Sequence, residues 1–275
     1  MEQYDPHAYV QQLFETYRKK RKKHLIMRIA LLILLIVCII LFLLGFMSFD
    51  LMFGIEIGII LVIWIYRKSI QVWSQKFYQV LDVKCEPEAY IELFQKLVTL
   101  LPKKSAKQFF KIQIAKGFFY CGEPEKTCQQ LSEIDYQSLA FFPRMHYLVL
   151  EMRCGLALDD PSIQKQAEKR YNYLKQVEAK KVQRSGETMN LLILKSHGEE
   201  AHYLHALDAH LKGKLGQVPR VRAECYAEKA RLLFQSGQLE EAKYCYWQAR
   251  EIGPKLFCVR ELSAQFHQEK EAPQV

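Results

Sequence analysis

The longest apolar stretch of the chain lies between residues 24 and 67 and contains only three charged residues, Arg28, Asp50 and Glu56. The hydrocarbon core of a bilayer is about 30 Å thick and is crossed by about 20 helical residues. The stretch is about twice that length, and the residues at 45–50 interrupt it with a glycine, a serine and an acid. The pattern therefore predicts a transmembrane helical hairpin at residues 25–66, with spans at about 25–46 and 49–66.

The charged residues next to the hairpin predict its orientation. Seven consecutive basic residues precede it at 18–24, two follow it at 67–68, and the turn carries only Asp50. Basic residues close to a span are retained on the cytoplasmic side, so both termini are expected in the cytoplasm, most simply at a bacterial plasma membrane. The alternative is a cleaved signal peptide, whose apolar part is about 7 to 15 residues long and ends in small residues.

The net charge of the chain is +9, from 39 Lys and Arg against 30 Asp and Glu. Much of this excess lies in the basic N-terminal segment 1–24, where anionic headgroups attract each basic residue near the surface by about 1 kcal/mol. A lipid bilayer with anionic headgroups at 18–24 is therefore the expected partner of this charge, and nucleic acid is not. The eight cysteines form no paired C-x-x-C spacing, which fits a reducing compartment.

The rest of the chain is punctuated as a series of helices. Prolines and glycines recur at intervals that fit helix starts and ends, and no alternating strand of useful length is present. We predict an all-α protein with a juxtamembrane helix at 67–86, a helical domain at 87–268 and a disordered tail at 269–275.

The most specific pattern of the helical domain lies at residues 223–255. Small residues there allow two antiparallel helices to touch, an aromatic ring fills the gap, and glycine and proline end the helices. The residues are Ala230, Gly237, Ala242, Tyr246, Ala249 and Pro254. The pattern resembles the tetratricopeptide repeat.

A weaker copy of the pattern occurs earlier in the chain. The offset that places Ala115 on Ala230 also places Gly122 on Gly237. Together the two copies imply an α-solenoid of about four helix hairpins with a polar-faced terminal helix at 255–268. The alternative is a compact helical bundle with one accidental repeat.

In the repeat family, the first helices of successive pairs line a concave groove. The resemblance therefore implies that Glu224, Arg231 and Gln235 face such a groove in the last repeat. It places Phe109, Lys116 and Tyr120 there in the weaker copy. A basic, partly aromatic groove suits an acidic peptide or a C-terminal carboxylate. The alternative is that these residues are simply solvated.

Candidate chemistry is sparse along the chain. His202, His205 and Asp208 are spaced by three residues and could share one side of a helix as metal ligands. Tyr203 and Leu207 between them indicate a core stripe instead, so neither a metal, a cofactor nor a catalytic site is predicted.

Within the second predicted span, Glu56 is the unusual residue, since an ionisable group in hydrocarbon is costly and suggests a function. A topological or helix-pairing role is the simpler expectation. Gly54 and Gly58 indicate close helix packing in the hairpin.

These features together predict a membrane-anchored scaffold or adaptor that presents its helical domain to a protein or peptide partner, and not an enzyme. The alternative is an accessory or regulatory subunit of a membrane enzyme or transporter, acting through the hairpin. A homo-oligomer is possible under either interpretation.

Overall fold

The computed structural model describes residues 5–46, 48–101 and 104–268. Within these ranges it contains thirteen α-helices, two short 3₁₀ turns and no strand. The all-α prediction is therefore confirmed. The predicted tail at 269–275 lies outside the described residues. The chain divides into two compact units, one up to Tyr78 and one from Gln79 onward.

The first unit is built from α1, Pro6–Leu43, and most of α2, Phe49–Asp82. Both helices are long and apolar enough to cross a membrane. The helix α1 begins after Asp5, whose carboxylate accepts a hydrogen bond from the backbone N–H of His7 at 2.9 Å. The predicted basic segment is thus helical where it is described, and it runs without a break into the first apolar span.

Aromatic rings join the two helices at the basic end of the hairpin. Tyr17 stacks on Trp73 with 5.9 Å between ring centroids, and His24 stacks on Tyr66 at 5.2 Å. Within the two predicted spans the buried apolar side chains are Cys38 and Ile59, and most of the other large ones point outward. Soluble monomers rarely expose apolar surface of this extent.

The two glycines of the second span do not make the close packing that we expected in the hairpin. A Cβ atom at Gly54 or Gly58 would meet no heavy atom within 4 Å in the described part of the chain, apart from the local helix backbone. Both glycines therefore lie on an open face of α2. The helices of the hairpin meet through larger side chains instead.

The second unit contains eleven further helices, and four of them begin with a proline, the residue best tolerated in a first turn. Their bounds are α3 Pro87–Thr99, α4 Lys104–Cys121, α5 Pro124–Ser132, α6 Phe141–Ala157, α7 Pro161–Val177, α8 Ala179–Ser185, α9 Glu187–Ser196, α10 Glu200–Lys212, α11 Pro219–Gln235, α12 Leu239–Ile252 and α13 Phe257–Gln268. The 3₁₀ turns are Tyr136–Ser138 and Leu215–Gln217.

This unit begins before the predicted boundary at 87. Val80 and Leu81, in the last turn of α2, are fully buried and belong to the second unit. The predicted juxtamembrane helix therefore ends at Asp82, and its last turn contributes to the core of the helical unit.

The helices α11 and α12 form an antiparallel pair across residues that the sequence singled out. Ala230, Ala242 and Ala249 have no exposed surface, and Tyr246 is 2% exposed. Gly237 makes the turn between the helices with a φ of +80°, a conformation that glycine adopts without strain. Small side chains at the contact allow the two backbones to approach each other.

The pair α4 and α5 repeats this geometry at the offset seen in the sequence. Gly122 has a φ of +86°, close to that of Gly237, and Ala115 is as fully buried as Ala230. The second helix is shorter in the earlier pair, with 9 residues in α5 against 14 in α12. The internal repetition therefore extends to the backbone, although the middle of the unit departs from it.

The last helix, α13, packs against the beginning of the unit. This arrangement differs from that of a solenoid, in which each repeat contacts only its neighbours. The guanidinium of Arg260 donates to the carbonyl of Cys121 at 2.7 Å, and Lys255 pairs with Glu86 at 2.8 Å. The reason is the apolar content of α13. Its buried residues Val259, Leu262 and Phe266 need more than one neighbouring surface.

All eight cysteines are free thiols, of which five are buried and three are half-buried. Burial raises the pKa of Cys85 to about 11 and that of Cys225 to about 12. Burial also raises the pKa of Cys154 and Cys258. These side chains therefore act as small apolar residues of the helical unit.

Candidate functional site

Four charged residues line one face of α11. Arg220, Glu224, Glu228 and Arg231 follow one another at helical spacings of four, four and three residues. They divide between two clusters of ion pairs. The first, which we name the central ion cluster, consists of Asp82, Lys116, Tyr120, Arg153, Arg220 and Glu224.

The central ion cluster joins four helices that are distant in the sequence. Arg220 donates from Nε to Asp82 at 2.7 Å and from a terminal nitrogen to Glu224 at 2.8 Å. Lys116 of α4 donates to the same Asp82 oxygen at 3.1 Å. Arg153 of α6 donates to the two carboxylate oxygens of Glu224 at 2.5 and 3.3 Å. Two-pronged arginine–carboxylate pairs of this kind are among the stronger ionic contacts in proteins.

The hydroxyl of Tyr120 lies at the centre of the cluster. It accepts hydrogen bonds from both Arg153 and Arg220 and is hydrogen-bonded to Glu224, whose carboxylate can only accept. The guanidinium of Arg220 also lies 4.9 Å from the centre of the Tyr120 ring. Tyr120 therefore orders the two arginines around one carboxylate.

The cluster contains three cations and two carboxylates, so it carries one excess positive charge. Burial raises the pKa of a carboxyl, but Arg220 and Lys116 outweigh it and hold the pKa of Asp82 at about 2. Burial, followed by the charge of Arg220, lowers the pKa of Lys116 to about 8. Nε of Arg153 is buried and has no hydrogen-bond partner among the described residues. The excess positive charge therefore disfavours the protonated form of Lys116 in particular.

We expect the lowered pKa of Lys116 to affect how the free energy of unfolding depends on pH. Between pH 8 and 10.5 the unfolded chain keeps the proton of Lys116 and the folded chain releases it, so the native protein gains stability as the pH rises. The stability of Lys116→Met relative to the native protein should therefore fall by about 3 kcal/mol across that range. Denaturant unfolding at a series of pH values measures the difference.

The matched control is Lys126→Met, which removes an exposed lysine paired with Glu123 on the surface. Its stability difference from the native protein should not change between pH 8 and 10.5. Cysteine ionisation affects the native protein and both variants alike and cancels in each difference. A constant difference for Lys116→Met would contradict the buried cation.

The second cluster, the flank ion cluster, lies further along α11 and is electrically balanced. Glu228 accepts from Lys195 at 2.6 Å and from Arg231 at 2.8 Å. Arg231 also donates to Glu261 of α13 at 2.7 Å. This cluster ties α9 and α13 to α11, and each of its charges has a partner.

Next to the central ion cluster, Phe109 and His146 remain accessible. Their ring centroids are 6.2 Å apart, Phe109 is half-buried and His146 is exposed to solvent. The protein around the covered part of the side chain, and then the charge of Lys116, lower the pKa of His146, which favours the neutral ring at pH 7. The accessible surface here is aromatic rather than cationic.

The structure brings together some of the predicted groove residues and separates others. Lys116, Tyr120 and Glu224 meet in the central ion cluster, and Phe109 lies beside it. Arg231 belongs to the flank ion cluster, and Gln235 is exposed at the end of α11. Both predicted cations already have carboxylate partners, so a peptide carboxylate would have to compete for them.

Comparison with protein-family models, curated proteins and solved structures finds no match for this chain. Its function must therefore be argued from its own residues.

Sequence reasoning missed three members of the central ion cluster, namely Asp82, Arg153 and Arg220. The spacing of Arg220 and Glu224 by four residues was a local signal for an ion pair. Arg153 interrupts an apolar run in α6, and a charge in such a place indicates a buried partner. Asp82 carries no local signal, because its partners are on α4 and α11.

The histidine-rich stretch of α10 does not assemble into a metal site. His202 pairs with Glu199 at 3.1 Å, and Asp208 pairs with Lys229 of α11 at 2.5 Å. Residues 5–46, 48–101 and 104–268 contain no group of three potential ligands close enough to hold a metal ion. The stretch instead contributes Tyr203 and Leu207 to the core.

Proposed function

We propose that this protein is a membrane-anchored scaffold or adaptor. Its hairpin crosses the bilayer twice, both termini lie in the cytoplasm, and the helical unit binds a protein partner there. The resemblance to tetratricopeptide repeats supports the proposal through the two helix pairs that share one geometry, α4 with α5 and α11 with α12.

The observation that carries the proposal is the distribution of exposed apolar side chains. Most of the large ones lie between Leu25 and Ile65, on the outside of the hairpin. A hydrocarbon environment would cover them, because the transfer of apolar surface out of water is favourable. Among the described residues of the helical unit, most large apolar side chains are buried and a few are exposed.

One group of exposed side chains on the helical unit has the composition of a protein-binding surface. Tyr244 and Trp247 of α12 are 62% and 51% exposed, and the guanidinium of Arg250 lies 4.9 Å from the Trp247 ring. Tryptophan, tyrosine and arginine are the residues that most often dominate binding energy at interfaces. Their spacing of three residues places them on one face, which we name the α12 aromatic face.

We expect the double variant Tyr244→Ala and Trp247→Ala to lose partner capture by about tenfold or more. The measurement is crosslinking of the full-length protein in native membranes, with quantification of the captured protein. The same membranes are washed at alkaline pH to test whether the chain stays in the bilayer. Release from the membrane by this wash would contradict the anchor.

The matched control is the double variant Phe142→Ala and Tyr173→Ala, which removes two other aromatic residues, 65% and 63% exposed, on α6 and α7. It should capture the partner as well as the native protein does. Equal capture by both double variants would contradict a binding role for the α12 aromatic face.

A second candidate function is favoured by the open side of the second span. Glu56 is half-buried and makes no ion pair or hydrogen bond among the described residues, and Gly54 and Gly58 leave room for another helix. An accessory subunit would use this surface to contact a membrane enzyme or transporter. Loss of capture in Glu56→Gln, with normal capture by the α12 variant, would favour it.

A further inference from the structure

A row of basic and aromatic side chains lies along one side of α2, where the second predicted span ends. With Lys20 of α1, this row lines an open groove within the first unit. We name it the basic-aromatic groove. Its polar and aromatic lining consists of Lys20, Trp64, Lys68, Ser69, Trp73 and Lys76.

The cations of the groove have no anionic partner among the described residues. The ammonium of Lys20 lies 5.8 Å from the centre of the Trp73 ring. None of Lys20, Lys68 and Lys76 forms an ion pair with a carboxylate in the part of the chain that the structure describes. Three positive charges gathered in one groove repel one another. An anion placed between them would be stabilised by all three.

The position of the groove indicates where that anion comes from. Trp64 lies three residues before Arg67, at the end of the apolar span, and indole rings favour the membrane interface. Lys68 and Lys76 are separated by about 12 Å along the helix. Helical side chains lean toward the N-terminus of their helix, which for α2 is the direction of the span. The lysines therefore reach back toward the headgroup layer.

We propose that the basic-aromatic groove binds the phosphate-bearing headgroup of an anionic phospholipid. The ammonium groups of Lys20, Lys68 and Lys76 pair with the headgroup oxygens, and the Ser69 hydroxyl donates a hydrogen bond. Trp64 contacts the upper part of the acyl chains. The site includes Lys20 of the basic segment and adds a specific binding position to the general attraction of that segment, and it rests on the proposed membrane location.

The test uses the full chain, reconstituted in vesicles with equal amounts of phosphatidylglycerol and phosphatidylcholine and then extracted in mild detergent. Mass spectrometry of the extracted protein counts the two lipids that remain bound. The triple variant Lys20→Gln, Lys68→Gln and Lys76→Gln removes the groove charges. The matched triple Lys19→Gln, Lys22→Gln and Lys23→Gln removes the same charge from exposed positions outside the groove.

The native protein is expected to retain phosphatidylglycerol in preference to phosphatidylcholine. This preference should fall by about tenfold in the groove triple. The matched triple lies in the segment that attracts headgroups generally, so its preference should also fall, but by about threefold at most. An equal fall in both triples, or equal retention of both lipids by the native protein, would overturn the groove site alone. Release of the native chain from vesicles at alkaline pH would overturn the membrane location, and the groove site with it.

Discussion

Glu224→Gln is expected to lower the free energy of unfolding of the helical unit by about 3–5 kcal/mol. The carboxylate of Glu224 is 15% exposed and accepts from both Arg153 and Arg220. Its neutral replacement leaves three cations around the single carboxylate of Asp82. Denaturant unfolding followed by circular dichroism measures the loss.

The control for this variant is Glu240→Gln, since Glu240 is 90% exposed and its pair with Lys243 lies on the surface. Exposed pairs contribute little, and the control should change stability by less than about 1 kcal/mol. Arg153→Met offers a second check, because it removes the excess cation. The combined variant should lose less stability than the sum of the two single losses. Additive losses would contradict a coupled cluster.

Gly122→Ala is expected to destabilise the helical unit by about 2–5 kcal/mol, from two separate causes. Gly122 has a φ of +86°, where an L side chain is strained. A Cβ atom there would also lie 2.2 Å from Cδ2 and 2.6 Å from Cγ of the Phe257 ring. The ring would have to move, and with it the contact between α13 and α4. The midpoint and slope of denaturant unfolding report the change.

Gly237→Ala separates the two causes. Gly237 has a φ of +80°, but a Cβ atom there would meet nothing within 4 Å. Its substitution should therefore cost only the backbone strain, about 1–2 kcal/mol. Equal losses in the two variants would show that Phe257 moves away without cost, and would contradict tight packing of α13 on α4.

The parts of the fold that were predictable depend on local chemistry. The two apolar helices follow from the length and apolarity of residues 25–66, because a stretch about twice the length of one membrane span, interrupted by a glycine and a serine, favours two helices over one. The end of α11 follows from Gly237 and the end of α12 from Pro254, because a glycine at positive φ and a proline just beyond the last turn both terminate a helix. These signals lie within a few residues of the feature they specify.

The candidate site was less predictable, because its contacts join distant segments. Arg153 meets Glu224 only when α6 and α11 pack together, and no sequence offset relates them. The repeat offsets placed Lys116 and Tyr120 on an inner face, yet they did not reveal Asp82, the carboxylate that pairs with Lys116. The prediction of a polar-faced terminal helix at 255–268 did not include the packing of α13 against α4, because no local signal shows which helices cover its buried residues Val259, Leu262 and Phe266.

The reactivity of the buried thiols can be used to measure whether the helical unit is folded. A maleimide reacts with the thiolate form, and enclosure keeps Cys85, Cys154 and Cys225 both inaccessible and protonated at neutral pH. Unfolding would return the pKa of these thiols to its ordinary value and expose them to the reagent. The rate of alkylation would then report the opening of the helical unit without an added cysteine.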